Sequence, residues 1–192
     1  MPSIEAGKII LSNGPSSAGK STLCQAIQAQ VDEPFLQFSL DFFFFNSPVL
    51  PKQQLENGAY SWAEMRPRVF EGFFNCLPAL ALAGNNLLLD HIIETQSQWD
   101  ALRQRLEGLD VFLVGVHCPL LELERREQLR GNRYIGDVRR DLETVHSFTK
   151  YDFEIDSSEA AEDNATRIIA AWKSRTHPSV LDGSSFVFQA VK

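Results

Sequence analysis

The chain has little of what builds disulfide scaffolds, zinc sites or membrane proteins. Its three cysteines, Cys24, Cys76 and Cys118, are widely spaced among 192 residues and form no C-x-x-C pair. An odd number of scattered cysteines predicts neither a disulfide framework nor zinc ligands and fits a reducing compartment. No stretch approaches the roughly 20 apolar residues that a membrane-spanning helix needs, and residues 1–8 contain no apolar run. We therefore expect a cytoplasmic protein with no membrane anchor or export signal.

Positive charge is also scarce, because 18 Lys and Arg residues face 25 Asp and Glu residues and leave a net charge of −7. Such a surface repels a phosphate backbone and predicts no nucleic-acid partner. Hydrophobic residues make up 44% of the sequence, and there is no internal repeat or low-complexity segment. This length and composition predict one domain, which we place at residues 1–176, followed by a tail at residues 177–192.

The most informative segment is residues 14–21, GPSSAGKS, which completes the phosphate-loop pattern G-x-x-x-x-G-K-S, also called Walker A. Lys20 is expected to reach the β- and γ-phosphates of a nucleoside triphosphate, and the Ser21 hydroxyl to bind Mg²⁺. A short aliphatic run precedes the loop and a helical pattern follows it, which is the order that phosphate binding at a helix N-terminus requires. The alternative, a turn that caps a helix and binds nothing, does not need this order. The predicted nucleotide-binding residues are Gly14, Pro15, Ser16, Ser17, Ala18, Gly19, Lys20, Ser21 and Thr22.

Short apolar runs alternate with segments of helical length along the chain. This alternation predicts an α/β fold with a parallel sheet between two layers of helices, and ligands at the carboxyl ends of its strands. The predicted strands are Ile9–Leu11, Phe35–Leu40, Asn86–Asp90, Val111–Val116 and Phe153–Ile155. The predicted helices after the loop are Glu64–Ala83, Gln98–Glu107, Leu120–Arg130, Val138–Phe148 and Glu159–Arg175. Pro67 and Pro78 are expected to break or kink the first of these helices.

Two carboxylates follow predicted strands and are candidates for the chemistry. Asp41 comes directly after the second strand, where a carboxylate can accept the proton of a hydroxyl that attacks the γ-phosphate. Its alternative role is the N-cap of a following helix, for which aspartate is well suited. Asp90 ends the third strand, a pattern that often orients Mg²⁺ in phosphate-loop proteins. Its alternative role is a hydrogen-bonding carboxylate without a metal.

Arginines at helical spacing predict a closing lid at about residues 126–140. Arg126, Arg130 and Arg133 share one helical face that runs into a glycine-containing turn, and guanidinium groups neutralise transferring phosphate charge well. The lid role is assigned to Arg130 and Arg133 and is left open for Arg126. The alternative is a salt-bridged surface helix, in which Glu122 pairs with Arg126 and Glu127 pairs with Arg130.

The run Phe42–Phe45 directly follows Asp41 and places four aromatic side chains together. They cannot all face one side of a strand or helix, so some of them are expected to line an apolar acceptor pocket while others join the core. The segment at about residues 46–61 carries Pro48, Pro51 and Gly58 and is predicted to form a flap. Three histidines, His91, His117 and His146, show no metal-ligand spacing and are interpreted as structural residues.

Taken together, these segments resemble the chloramphenicol phosphotransferase-like family of small phosphate-loop kinases. The matching segments run in order over about residues 8–173 and are Asn13–Ser21, Asp41, Asp90–Glu94, Val114–Leu120, Glu124–Glu127, Arg130–Arg133, Val145–His146 and Tyr151–Asp156. The resemblance implies transfer of the γ-phosphoryl group of ATP, with Mg²⁺, to a hydroxyl of a small molecule. It also implies Asp41 as the base, Lys20, Arg130 and Arg133 as charge stabilisers, Ser21 and Asp90 at Mg²⁺, and a five-stranded parallel core.

Three other functions use a similar phosphate loop or core. A GTPase switch would need N-K-x-D and D-x-x-G motifs, and the sequence has neither. A nucleoside or nucleotide kinase shares the core and the lid, and Arg66 and Arg68 are available for a charged acceptor. A nucleotide-binding module without turnover would leave the joint presence of Lys20, Ser21, Asp41 and Asp90 unexplained. The acceptor's identity and a homo-oligomeric state stay open.

Overall fold

The computed structural model describes residues 5–44, 61–130, 136–148, 150–176 and 179–182. The predicted flap lies outside the described residues apart from Ser61, and so do residues 131–135 of the predicted lid, which include Arg133, and residues 183–192 of the tail. Phe45 and the side chains of Phe43, Phe44 and Arg130 also lie outside the described part. None of the helices in that part combines the length and hydrophobicity that crossing a bilayer requires.

A five-stranded sheet, in which every pairing is parallel, forms the centre of the fold and confirms the predicted fold class. The spatial order is β2-β3-β1-β4-β5, so β1, which leads into the phosphate loop, is the central strand. The strands are β1 Ile9–Asn13, β2 Phe35–Ser39, β3 Asn86–His91, β4 Val111–His117 and β5 Phe153–Asp156.

Helices connect the strands in the predicted alternation. They are α1 Lys20–Gln30, α2 Leu40–Phe44, α3 Trp62–Leu82, α4 Gln96–Leu106, α5 Leu120–Arg130, α6 Asp137–Thr144 and α7 Ala161–Ser174, with a 3₁₀ turn at Val180–Asp182. Helix α3 runs through Pro67 and Pro78 without interruption, so the predicted break is wrong, and the alternative of a kink stays a prediction. Each proline costs about 3 kcal/mol in a helix interior. Six buried side chains of α3, four of them Phe or Leu, outweigh this cost at about 1.5–3 kcal/mol for each large apolar group.

Alternate residues of the central strands face opposite helix layers, as expected for strands that are apolar on both faces. Ile9 and Leu11 of β1 pack with the α3 and α4 side chains, whereas Ile10 packs with α1 and α7. The 3₁₀ turn, which belongs to the predicted tail, adds Leu181 to the first of these cores. The two cores fix the strand ends and therefore the positions of the residues that follow them.

Asn13 joins three segments at the carboxyl edge of the sheet. Its Nδ2 donates to the carbonyl oxygen of Val145 at 2.9 Å and to the Tyr151 hydroxyl at 2.8 Å, and its Oδ1 accepts from the Ile93 amide at 2.9 Å. Helix α6 ends at Thr144 instead of reaching the predicted Phe148, because the Ser147 amide donates to the Thr144 carbonyl oxygen at 2.9 Å in a tighter turn that leaves the helical ladder. The bond from Asn13 to the Val145 carbonyl oxygen holds the chain in this position directly after the helix. Burial raises the pKa of Tyr151 to about 12, so its hydroxyl stays protonated.

Two glycines give a matched test of this packing. A Cβ at Gly115 of β4 would lie 2.5 Å from the Tyr151 ring, whereas a Cβ at Gly72 of α3 would meet nothing within 4 Å. We expect Gly115→Ala to lower the free energy of unfolding by about 1–3 kcal/mol through overpacking. Gly72→Ala should raise it by about 0.5–1 kcal/mol, since alanine favours a helix interior.

Urea unfolding of both variants, followed by far-UV circular dichroism, measures these changes. A Gly115→Ala variant as stable as the wild type would show that the Tyr151 ring has room to move.

Candidate active site

The phosphate loop curls around the Lys20 side chain. The side chain is only 7% exposed, and its ammonium group donates to the carbonyl oxygens of Gly14 and Pro15 at 2.9 Å and 2.8 Å and lies 3.9 Å from Asp90 Oδ1. Gly19 adopts a left-handed φ of 83°, which glycine tolerates, and begins α1. A Cβ at Gly14 would lie 2.5 Å from the Val116 carbonyl oxygen, so only glycine fits there. The motif therefore needs glycine at its two positions for different reasons: backbone conformation at Gly19 and lack of space for a side chain at Gly14.

Ser17 is the single non-glycine residue with a positive φ among the described residues, at 61°. Such a conformation costs on the order of 1–3 kcal/mol and persists only where the surroundings impose it. Its Oγ is buried and has no hydrogen-bond partner. A strained backbone and a buried hydroxyl without a hydrogen-bond partner, both in Ser17, are consistent with a loop whose shape suits a bound anion.

Ser21 and Asp90 meet directly, although 69 positions separate them in sequence. The Ser21 hydroxyl donates to Asp90 Oδ2 at 2.5 Å. Hydroxyl and carboxylate oxygens are hard donors that suit Mg²⁺, which takes only one or two protein ligands when phosphates supply others. Nowhere in the described ranges do three or more His, Cys, Asp or Glu side chains form a metal cluster. The donor set of Ser21 and Asp90 could therefore hold a nucleotide-bound Mg²⁺.

Asp41 is the second residue of α2, at the same sheet edge as Asp90. Strand β2 pairs with β3 in a register that sets Ser39 beside Asp90, so Asp41 follows that pair by two residues. Ser39, not Asp41, provides the cap, because its Oγ accepts the Phe42 amide at 3.0 Å. Phe42 itself is 67% exposed.

Arg126 forms one wall of a cleft beside the loop. Its Nε donates to Glu122 at 2.7 Å, its Nη2 donates to the Ser157 carbonyl oxygen at 2.8 Å, and its Nη1 lies 3.4 Å from a Cβ built on Gly19. The expected pair of Glu122 and Arg126 is thus present. The cleft is lined by Gly19, Thr22, Leu23, Arg126, Ile155, Ser157, Glu159, Ala161 and Asn164.

Arg66 and Glu94 form an ion pair that sequence reasoning missed. The Arg66 guanidinium also lies 4.6 Å from the centre of the Phe70 ring, so both its charge and its face are engaged. Arg66 is the fifth residue of α3, and Glu94 follows β3, the strand that carries Asp90. The pair joins α3 to the segment after β3 across 28 positions, and the only signal for it in the sequence was that Glu94 follows the predicted strand that ends in Asp90.

Asp141 is a second residue that the sequence did not reveal. Its Oδ2 accepts the Ser16 amide of the phosphate loop at 3.0 Å. Burial is the largest influence on this carboxyl and raises its pKa, while the Ser16 amide acts in the opposite direction. The available signal was an acidic residue between Val138 and Val145 on the apolar face of its helix.

Helix α6 is held by α5 as well as by the loop. The buried Glu127 carboxylate accepts the Gly136 and Val138 amides at 2.9 Å and 3.2 Å. These amides begin α6, where a carboxylate is favourable. Glu127 thus caps the N-terminus of α6. Its expected pairing with Arg130 stays a prediction, because the Arg130 side chain lies outside the described part of the structure.

The histidines pack as aromatic residues. His91 lies among Phe70, Phe73 and Phe74, and burial lowers its pKa to about 3. His117 stacks on His146 with 4.1 Å between ring centres. Both His91 and His146 are neutral near pH 7 because burial also lowers the pKa of His146 to about 4.

Comparison with known proteins adds relatives of two kinds. The "Putative O-phosphotransferase" of Mycobacterium tuberculosis strain H37Rv is 33% identical over 181 residues, which cover 82% of this chain and 78% of that protein. The guanylate kinase of Desulfitobacterium hafniense strain Y51 is 25% identical over 209 aligned positions, covering 96% and 98%.

Solved kinase structures share the fold. The APS kinase CysC of Mycobacterium tuberculosis, solved with AMPPNP and APS, superposes with a TM-score of 0.67 at 18% identity, covering 88% of this chain and 99% of that one. The model of the family described as chloramphenicol phosphotransferase-like protein matches residues 7–173, from just before β1 to near the end of α7. The fold, the phosphate loop and this match agree, and the chain belongs to the chloramphenicol phosphotransferase-like family.

Proposed function

We propose that this protein is a kinase that transfers the γ-phosphoryl group of ATP to a hydroxyl of a small, partly apolar molecule. One observation carries the proposal. The Ser21 hydroxyl bonds to Asp90 at 2.5 Å, and Lys20 lies 3.9 Å from the same carboxylate. The two residues expected at Mg²⁺ therefore lie together beside the phosphate loop, next to the lysine that is expected at the β- and γ-phosphates.

The nucleotide would occupy the loop and the neighbouring cleft. The loop amides and Lys20 would hold the phosphates, and the cleft between Arg126 and Thr22 would take the nucleoside. Bound Mg²⁺, held by Ser21 and Asp90, would neutralise charge on the phosphate oxygens. The fold neighbour APS kinase was solved with the ATP analogue AMPPNP, which supports this use of the fold.

Asp41 is assigned as the general base. The helix cap beside it is already supplied by Ser39, so the alternative role of Asp41 loses its main support. A carboxylate at this edge would accept the proton of the acceptor hydroxyl as that oxygen attacks the γ-phosphorus. Arg130 and Arg133, which fall outside the described side chains, are proposed to stabilise the transferring charge. The protein's contribution is then positioning and electrostatics.

Features on the acceptor side favour a molecule without a phosphate group. Arg66 is held by Glu94 and Phe70, so an acceptor phosphate would have to compete with a carboxylate for it. Phe42, next to Asp41, exposes two thirds of its surface and would be covered by an apolar part of the acceptor. The second candidate acceptor is a nucleoside monophosphate, and the 25% identity to a guanylate kinase supports it.

A panel assay separates these candidates. The protein is incubated with Mg-ATP and single acceptors: aromatic alcohols, chloramphenicol, sugars, nucleosides and nucleoside monophosphates. Mass spectrometry then seeks a gain of one phosphoryl group. We expect a product from a neutral hydroxylated compound. Phosphorylation of a nucleoside monophosphate alone would favour the second candidate, and ATP binding without any product would support a module without turnover.

A further inference from the structure

Asp141 places a buried negative charge against the loop that we propose to bind phosphates, and the inference below depends on that proposed function. Its side chain is 5% exposed, and its Oδ2 accepts the Ser16 amide at 3.0 Å. An amide of a phosphate loop ordinarily faces an anion, and here the anion belongs to the protein. A triphosphate that arrives in the loop therefore meets a carboxylate at its edge.

The charges around Asp141 compensate it only partly. Arg140 lies 3.6 Å from Oδ1 but is 71% exposed, so water screens most of its effect. Lys20 in the loop favours the ionised carboxyl, whereas Glu94 after β3 opposes it. Arg140 also pairs with Asp137 on the same helix, with 3.0 Å between Arg140 Nη2 and Asp137 Oδ1, and this contact is shorter than the one to Asp141. Burial outweighs the favourable contacts and raises the pKa of Asp141.

Phosphate binding would shift this balance further. Lys20, which now favours the ionised carboxyl, would share its charge with the β- and γ-phosphates. The carboxylate would then face several additional negative charges through a poorly solvated interior, where such interactions are strong. Adding a proton at Oδ1 removes this repulsion. The Oδ2 atom continues to accept the Ser16 amide, and the new O–H group can donate to a phosphate oxygen.

We propose that Asp141 takes up one proton from solvent when a nucleoside triphosphate binds. Asp141 is thus a positioning residue that keeps Ser16 in place in both states and makes nucleotide affinity depend on pH. Between the pKa of Asp141 in the free protein and its pKa in the complex, affinity should fall as pH rises. In this pH range the nucleotide affinity should change by up to about tenfold per pH unit when one proton is taken up.

Isothermal titration calorimetry with Mg-AMPPNP tests this without any phosphoryl transfer. Titrations across pH 5.5–8, each in two buffers of different ionisation enthalpy, give both the dissociation constant and the number of protons taken up. Asp141→Asn keeps an oxygen for the Ser16 amide and removes the charge. The control Glu143→Gln changes an exposed acid of α6 and leaves the pairing of Arg140 with Asp137 and Asp141 intact. The nucleotide's own titration is present in all three proteins and cancels in the comparison.

We expect the wild type and Glu143→Gln to take up close to one proton more than Asp141→Asn. We also expect Asp141→Asn to bind Mg-AMPPNP about tenfold more tightly at pH 8. Equal proton uptake and equal pH dependence in all three proteins would overturn the inference while leaving nucleotide binding intact. Absence of AMPPNP binding in every protein would instead overturn the proposed function, and this inference with it.

Discussion

Replacing Asp41 with asparagine is expected to lower the rate of phosphoryl transfer by about 10²- to 10⁴-fold, which is the usual contribution of a general base. Asparagine has nearly the same shape but cannot accept the hydroxyl proton. The affinity for ATP should stay nearly unchanged, because the phosphates are assigned to the loop and Lys20 rather than to α2. A loss of rate without a loss of binding is the pattern of an interaction made only in the transition state.

Single-turnover kinetics with an acceptor from the panel measure the rate, and calorimetry measures ATP binding. Asp100→Asn on α4 is a suitable control, since that exposed carboxylate contacts Gln96 of its own helix. It should keep the wild-type rate. An Asp41→Asn variant with the wild-type rate would remove Asp41 from the mechanism.

Removal of the Lys20 ammonium group is expected to be almost as damaging. Lys20→Ala should lower turnover by about 10²- to 10³-fold, as the loss of a charge-stabilising donor usually does. It should also weaken binding of ATP more than binding of AMP, because Lys20 is assigned to the β- and γ-phosphates. The ammonium group is buried and bonded to the loop carbonyls, so its loss also loosens the loop.

Lys8→Ala is the matched control for this change. Lys8 lies just before β1, at the opposite end of the strand from the loop, and pairs with Glu33 at 2.8 Å. Its removal should cost about 0–1 kcal/mol of stability and no activity. Thermal melting checks that both variants are folded. Unaltered ATP affinity and unaltered turnover in Lys20→Ala would count against the phosphate-loop assignment.

The sequence predicted the parts of the fold that depend on local patterns. Buried strands such as β4 appear as uninterrupted apolar runs, and all five were located to within two residues. Helix ends that depend on distant partners were harder. Helix α6 stops early in a tight turn at Thr144. The Val145 carbonyl directly after it bonds to Asn13, more than 130 positions away, and no local signal carries that contact. Helix α3 passes two prolines because its packing compensates for them.

In the candidate site, too, the residues that belong to local patterns were predicted, and the contacts between distant segments were not. Lys20 and Ser21 were predicted from the loop, because that motif encodes its own geometry. Asp41 and Asp90 were predicted from their positions after strands. Arg66 and Asp141 were missed as contacts, because an ion pair to Glu94 and a bond to the Ser16 amide depend on how separate elements meet. An acidic residue on an apolar helix face was the local sign of the second.

A crystal structure with Mg-AMPPNP tests the central claim most directly. We expect phosphate oxygens on the loop amides, the Lys20 ammonium moved from the Gly14 and Pro15 carbonyls onto the phosphates, and Mg²⁺ beside Ser21 and Asp90. The Asp41 carboxylate should face the γ-phosphate across space for an acceptor hydroxyl. A loop that stays empty or closes on itself in saturating nucleotide, or an Asp41 side chain turned away from the γ-phosphate, would contradict the kinase proposal.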